Sequence, residues 1–396
     1  MVDLEYIILK SKGTRSQNTN ARGPTFTSAS STPGGIEIVE DRLSTADRSR
    51  VQSEATTLAI APKMQMKLLE PVGDPADAPQ SSDPTWGIVA TNTHTSPYDG
   101  TGIKVGVIDT GIDPNHPAFT GVTFKHKNYT DGADNDTSDT DGHGTHCAGT
   151  IFGRDVDGTR IGVARGVTEA CIAKVLGQGG AGSLDVAKAV QWCVDQGAHV
   201  VSMSLGIDFP GFVAWLQDRR GLRPEAATTL GLEAYRENVN MFSELSSYVA
   251  ASSAFRQGTL IVAASGNESQ RPDYEIAAAP PSVGTGVLSV GAIGQKDSQF
   301  GVAAFSNIEC DVVGPGVNVV SAKPGGGLVA LNGTSMATPH VAGIAALWAQ
   351  RLQINSGRVS GNVLSANVIA SATRESFSPE DDTQDVGEGL IQAPQD

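Results

Sequence analysis

The chain has 396 residues, 39% of them hydrophobic, and a formal net charge of −15 at pH 7. That length buries a sizeable core, as one large domain or a large domain with a small companion. The dispersed acidic charge argues against nucleic acid or an anionic membrane as partner, and no apolar run approaches the roughly 18–20 residues of a membrane span.

The N-terminus, MVDLEYIILKSKGTRS, lacks the basic start, apolar middle and small-residue cleavage site of a secretory signal. The expected location is therefore cytoplasmic; the alternatives are a trimmed chain or secretion by a route not visible in the sequence. EYIILKSK alternates like a strand, and Gly13 to Gly35 reads as a mobile loop rich in Ser, Thr, Asn and Gly. IEIVED predicts a second strand, STADRSRVQSEA a polar helix capped by Ser44, and TLAIAPKMQMKLLEP an extended segment broken by Pro62. The proline-rich stretch after Val72 has the composition of a linker. Residues 1–75 thus form a small α+β module, 76–85 a linker, and 86–396 the main domain.

In the main domain strands alternate with helices. GIKVGVID, ACIAKVLG, HVVSMSLG, GTLIVAASGN, GVLSVGAIG and GVNVVSA are apolar, β-branched runs. HGTHCAGTIFG, SLDVAKAVQWCVDQG and SMATPHVAGIAALWAQRL are helical, as is a long stretch near 207–257. Such alternation predicts an α/β fold: a three-layer α/β/α sandwich around a mostly parallel sheet. Four cysteines, Cys147, Cys171, Cys193 and Cys310, form no CxxC pair and read as free buried thiols.

Ligands of such sheets sit beyond the carboxyl ends of the strands. Asp109, Asn267 and Ser204–Gly206 end strands there, while His143 and Ser335 begin helices facing the same edge. Alone, Asp109 reads equally as a turn residue and Ser335 as a helix cap. A carboxylate ending an apolar strand needs a partner, however, and His143 is the natural one. A carboxylate on one imidazole nitrogen fixes the tautomer and steadies the imidazolium formed when the other nitrogen takes a proton. A serine hydroxyl becomes a nucleophile only beside such a base. Gly333 lets a substrate backbone approach, the helix start leaves N–H groups free for an oxyanion, and Pro339 is expected in the first turn. A metal pair of His143 and His146 is the rival reading; it lacks an evident third ligand.

With VGVIDTGID (105–113), DGHGTHCAGT (141–150), VSMSLG (201–206), VAASGN (262–267) and GTSMATPHVAG (333–343) in this order, the chain resembles the subtilisin-like serine proteases. The resemblance covers nearly all of 86–396. It implies a serine endopeptidase with Ser335 as nucleophile, His143 as base then acid, Asp109 as the orienting carboxylate and Asn267 as oxyanion donor. It further implies polypeptide substrates bound as an added strand between Gly180, Ala181, Gly182 and Ser204, Leu205, Gly206, with Ala264 and Gly266 lining the pocket before the cleaved bond. GQGGAG reads alternatively as a plain turn.

The N-terminal module resembles a family propeptide, an intramolecular inhibitor whose tail APKMQMKLLEP enters the active site. Self-cleavage is expected between Met66 and Trp86. The alternative is a permanent docking module, and a silent peptide-binding scaffold is the second functional class. No cofactor is implied for catalysis. The acidic loop TDGADNDTSDTDG suits a structural calcium ion, with Asp134, Asp136 and Asp139 as candidate ligands; its alternative is a solvated acidic turn. The segment near 207–257 is longer than the family usually has. It is expected either to reshape the cleft or to decorate the periphery.

Overall fold

A computed structural model describes residues 4–12, 35–78, 83–177, 180–253, 256–296, 299–377 and 381–396. Most of the loop expected at Gly13–Gly35 lies outside these residues.

In chain order the strands are β1 (Leu4–Ser11), β2 (Ile36–Leu43), β3 (Thr57–Pro62), β4 (Gln65–Leu68), β5 (Ala76–Asp77), β6 (Lys104–Asp109), β7 (Thr123–Asn128), β8 (Glu169–Lys174), β9 (Ala181–Gly182), β10 (Val200–Met203), β11 (Leu205–Ile207), β12 (Leu260–Ala264), β13 (Val287–Lys296), β14 (Gln299–Val302), β15 (Val312–Pro315), β16 (Val319–Ala322) and β17 (Leu328–Leu331). The helices are α1 (Thr45–Gln52), α2 (Trp86–Ala90), α3 (His143–Phe152), α4 (Ser183–Asp195), α5 (Phe209–Arg220), α6 (Pro224–Ser252), α7 (Thr334–Ser356), α8 (Gly361–Ala370) and α9 (Thr383–Val386).

The central sheet runs β14-β13-β12-β10-β6-β8-β7, with β15 also on β13. All its pairings are parallel except β13 with β14. Alternate residues of the strands enter two different cores. Val105 and Val107 pack with α3, α7 and α8, whereas Ile108, Val201 and Met203 pack with α4 and α6. The result is the expected three-layer α/β/α sandwich, whose inner strands are buried on both faces.

In the N-terminal module β1 pairs antiparallel with β2 and β3. Ser44 caps α1, its side chain accepting from Asp47 N. The module's core is continuous with that of the body: Ile7, Leu9 and Ile60 join the cluster that holds Val190 of α4 and Met241 of α6. Asn238 Nδ2 of α6 donates to the Pro62 carbonyl at 2.9 Å, and Gln191 Nε2 of α4 to that of Ile36 at 3.0 Å. Arg48 pairs with Glu233 at 3.1 Å and with Glu237.

The structure departs from the sequence reading in the following places, among others. HVVSMSLG is not one strand; it breaks at Ser204 into β10, in the central sheet, and β11, outside it. The segment expected as a linker contains β5, which pairs antiparallel with β17. Pro339 does not fall in the first turn. The helix begins at Thr334, so the missing N–H of Pro339 releases the carbonyl of Ser335 four residues back. That carbonyl instead accepts from Ser204 Oγ at 3.2 Å and from Cys147 Sγ at 3.4 Å.

Candidate active site

Asp109 ends β6 and His143 begins α3, and both are buried. His143 Nδ1 lies 2.7 Å from Asp109 Oδ1. A carboxylate only accepts, so Nδ1 carries the proton and Nε2 is the basic position of the neutral ring. Nε2 is buried without a hydrogen-bond partner among the described residues. Burial opposes charge on this ring, but the adjacent Asp109 charge and hydrogen bond, with Cys147 beside it, hold its pKa well above the ordinary 6.5.

The second carboxylate at this end of the sheet is Asp139. Its Oδ1 accepts from Thr110 Oγ1 at 2.9 Å, Gly142 N at 2.9 Å and Asp141 N at 3.2 Å. Its Oδ2 accepts from Thr145 N at 2.8 Å and Thr145 Oγ1 at 2.6 Å. Thr110 Oγ1 in turn accepts from Gly144 N at 2.9 Å. The start of α3, and with it His143, is thereby tied to the end of β6. Asp134 meets Lys127 at 2.5 Å, and Asp136 Oδ1 accepts from Ser138 N and Oγ. Among the described residues, the group of three metal-ligating side chains with atoms within 4.8 Å of one another is Asp109, His143 and Cys147. His146 turns away: its Nε2 faces the carbonyls of Val319 at 3.0 Å and Val329 at 3.2 Å, and burial lowers its pKa to about 3.

Asn267 follows β12 and faces the start of α7. Its Oδ1 accepts from Thr334 N at 2.8 Å and Thr334 Oγ1 at 2.7 Å, which fixes the amide and turns Nδ2 outward. Nδ2 donates to the Glu70 carbonyl at 2.9 Å and reaches the Leu69 carbonyl at 3.4 Å. Ser335 Oγ donates to the same Leu69 oxygen at 2.9 Å. A Cβ on Gly333 would lie 3.2 Å from Asn267 Nδ2, so the glycine clears the approach.

The tail of the N-terminal module therefore lies in the site. β4 pairs antiparallel with β11 on one side (Leu205↔Leu68, Gly206↔Lys67, Ile207↔Met66) and with β9 on the other (Gln65↔Gly182, Met66↔Ala181). Lys67 pairs with Glu268 at 2.9 Å. The Leu69 side chain is buried against Gly206. Beyond Glu70 the chain stays attached: Val72 exchanges hydrogen bonds with Asn332, and β5 joins β17.

Of the residues expected to flank a peptide, Ala181, Gly182, Leu205 and Gly206 do so here, and Gly180 stands at the end of β9. Ser204 lies just outside the β4–β11 pairing, and its hydroxyl donates to the Ser335 carbonyl at 3.2 Å. Ala264 closes β12. Gly266, at φ +126°, has no room for a side chain: a Cβ would stand 2.2 Å from Asn307 Nδ2. Asn307 escaped the sequence reading. It accepts from Glu268 N, Ser269 N and Ser269 Oγ, and so shapes the loop that carries Asn267. Cys147, one turn after His143, was read only as a free thiol, yet its sulfur lies 3.7 Å from His143 Nδ1.

Residues 100–389 match the family model described as the Subtilase family. The chain belongs to this family of subtilisin-like serine proteases. It is 35% identical over 275 residues to M-protease of Shouchella clausii (strain KSM-K16), covering 67% of this chain and 60% of that protein. It is likewise 35% identical over 275 residues to Subtilisin Savinase of Lederbergia lenta, covering 67% of this chain and 84% of that one. With Subtilisin-like protease 1 of Trichophyton equinum it shares 32% identity over 333 residues, 78% of this chain and 56% of the relative. The chain thus spans less than two thirds of the length of several subtilases it matches.

Proposed function

We propose that this chain is a serine endopeptidase made in latent form, with its own N-terminal module as inhibitor and first substrate. The observation that supports this best is the Leu69 carbonyl, which meets the Ser335 hydroxyl and the Asn267 amide together. In this reading His143 Nε2 takes the Ser335 proton as the serine oxygen adds to the peptide carbonyl carbon. Asp109 holds the imidazole through Nδ1 and steadies the imidazolium. Asn267 Nδ2 and the N–H at the start of α7 receive the charge on the carbonyl oxygen. As the tetrahedral adduct collapses, the imidazolium gives its proton to the leaving amine and the C–N bond breaks. Water, activated by the same histidine, then hydrolyses the acyl-enzyme.

Polypeptide substrates would lie as β4 does, as an added strand between β9 and β11. The first bond cut would be Leu69–Glu70, within the Met66–Trp86 window. Calcium is proposed as a structural ligand only. On the Asp134–Asp136 side of its loop it would displace Lys127 from Asp134, whereas at Asp139 it would displace five hydrogen bonds from the chain itself.

Intact mass followed over time, for the wild type and Ser335→Ala, tests the proposal. We expect loss of residues 1–69 from the wild type alone. Persistence of both full-length chains, with no labelling of Ser335 by a fluorophosphonate, would overturn it.

A further inference from the structure

The hydrogen bonding of the tail does not stop at the four residues preceding the Leu69–Glu70 bond. Asp208 N, at the cap of α5, donates to the Gln65 carbonyl at 3.0 Å. Ser183, at the start of α4, donates from its N to the Met64 carbonyl at 2.9 Å and accepts from Met64 N at 3.1 Å. The strand is therefore gripped out to the sixth residue before the bond, and one grip comes from the inserted helix α5.

Beside this part of the strand lies a cavity of about 350 Å³. Gly180 to Gly182 and Asp185 form one side, Phe212 and Trp215 of α5 the other, and Lys63 to Gln65 run between them. Phe212 and Trp215 stack with centroids 5.8 Å apart, and the Arg220 guanidinium lies 4.8 Å over the indole. Trp215 remains 36% exposed although it is apolar and rigid. The exposed Gln65 side chain reaches toward Gly180, where a Cβ would lie 3.2 Å from its Nε2. A polar residue of the tail thus lines a cavity that two aromatic rings also line.

We propose that α5 builds an additional substrate subsite, one that selects a large apolar side chain at the fifth residue before the cleaved bond. This rests on the endopeptidase reading. The backbone of that residue is set by Asp208 and Gly182, and it lines the same cavity as Phe212 and Trp215. Burying a leucine or phenylalanine there removes apolar surface from water on both partners, whereas an aspartate loses its hydration against Asp185 and the rings. Gln65 suits a tail that has to leave after cleavage better than a best-fitting residue would.

The test uses two peptide series carrying Met-Lys-Leu-Leu before the bond. One series stops there; the other extends through the sixth residue with Leu, Phe, Gln or Asp at the fifth. For the processed enzyme we expect kcat/KM to favour Leu or Phe over Asp about tenfold in the long series. In Trp215→Ala that ratio should fall close to one; a ratio within each variant cancels any general loss of activity. An unchanged ratio in Trp215→Ala, or no discrimination in the wild type, would overturn the proposal. If no peptide of either series is cut, the endopeptidase reading fails, and the cavity is judged separately in the uncleaved Ser335→Ala chain. There Gln65→Leu should raise Tm by about 1–3 °C with Trp215 present and not with Trp215→Ala; equal shifts in both would overturn the subsite.

Discussion

Ser335 Oγ hydrogen-bonds the Leu69 carbonyl oxygen at 2.9 Å, while His143 Nε2 has no partner among the described residues. With the tail in place the hydroxyl is directed at a peptide bond of its own chain. The buried Leu69 side chain anchors that bond in register. Replacing Leu69 by Asp puts a charge where a leucine was buried, at a cost of several kcal/mol. We expect Leu69→Asp to slow appearance of the 70–396 product at least a hundredfold, and Leu69→Met to change it little. Time-resolved intact mass measures both.

Asn267 is the side-chain donor at the same oxygen, with its amide held by two bonds from Thr334. In subtilisin itself, loss of the oxyanion asparagine lowers the rate by about 10²–10³, and that borrowed figure is the expectation for Asn267→Ala. The loss should fall on kcat, because the interaction strengthens as charge develops on the oxygen. A variant that raised KM alone would identify Asn267 as a binding residue.

What the sequence disclosed followed from the chemistry of each segment. Apolar runs such as KVGVID and LIVAA are buried on both faces, so their composition alone marks them as inner strands. β7, TFKHKN, was missed because an edge strand alternates charged and apolar residues and lacks such a run. Asp109, His143, Asn267 and Ser335 were legible because each sits in a local pattern of small residues at a strand end or helix start. Asn307 was not, because its role depends on a loop 40 residues away in sequence. Asp139 carried a true signal, an acid in a turn, but its partners Thr110 and Thr145 lie on other elements. The contact between Ser335 and Leu69 spans 266 residues. No local pattern encodes it, only the resemblance of the tail to a substrate strand.

Asp139 is half-buried. Burial would raise its pKa, but the donors from Thr145, Gly142 and Thr110 outweigh this and hold it below the ordinary 3.8. A carboxyl with a depressed folded pKa contributes stability at pH values above its unfolded pKa and loses it as pH falls through the folded value. We expect Asp139→Ala to destabilise the protein by about 2–4 kcal/mol near neutral pH. The difference from wild type should shrink in acid, below pH 3.8. Denaturant unfolding at several pH values measures this. Calcium titration of both proteins checks the ion separately, since a site on the Asp134–Asp136 side would still raise Tm in the variant.

His143 titrates in the opposite sense. Its raised pKa means that the charged ring is favoured in the folded protein. That stabilisation is present at pH below the ordinary 6.5 and is lost as pH rises through the folded value. Catalysis needs the neutral ring, so activity should grow across the same interval. The kcat/KM profile of the processed enzyme should rise with a midpoint above pH 6.5. A midpoint at or below that value would mean that the Asp109 charge does not dominate once the tail has left.

If the module is the proposed inhibitor, latency depends on its docking, and Arg48 is a polar link from it to α6. It pairs with Glu233 at 3.1 Å and with Glu237, and its guanidinium lies 5.6 Å from the Tyr6 ring centroid. The Arg48 and Glu237 side chains are only 18% and 11% exposed, so removing one partner costs more than it would in a surface ion pair. Removing Arg48 leaves Glu237 partly buried with an unpaired charge. We expect Arg48→Ala to weaken inhibition by the cut module about 10–100-fold, the equivalent of roughly 1.4–2.8 kcal/mol. The lag between cleavage at Leu69–Glu70 and full peptidase activity should shorten accordingly. Glu237→Gln in the Arg48→Ala background should restore part of the lag, because it removes the stranded charge. An unchanged lag in Arg48→Ala would place the grip of the module in its apolar core and in the β4 strand alone.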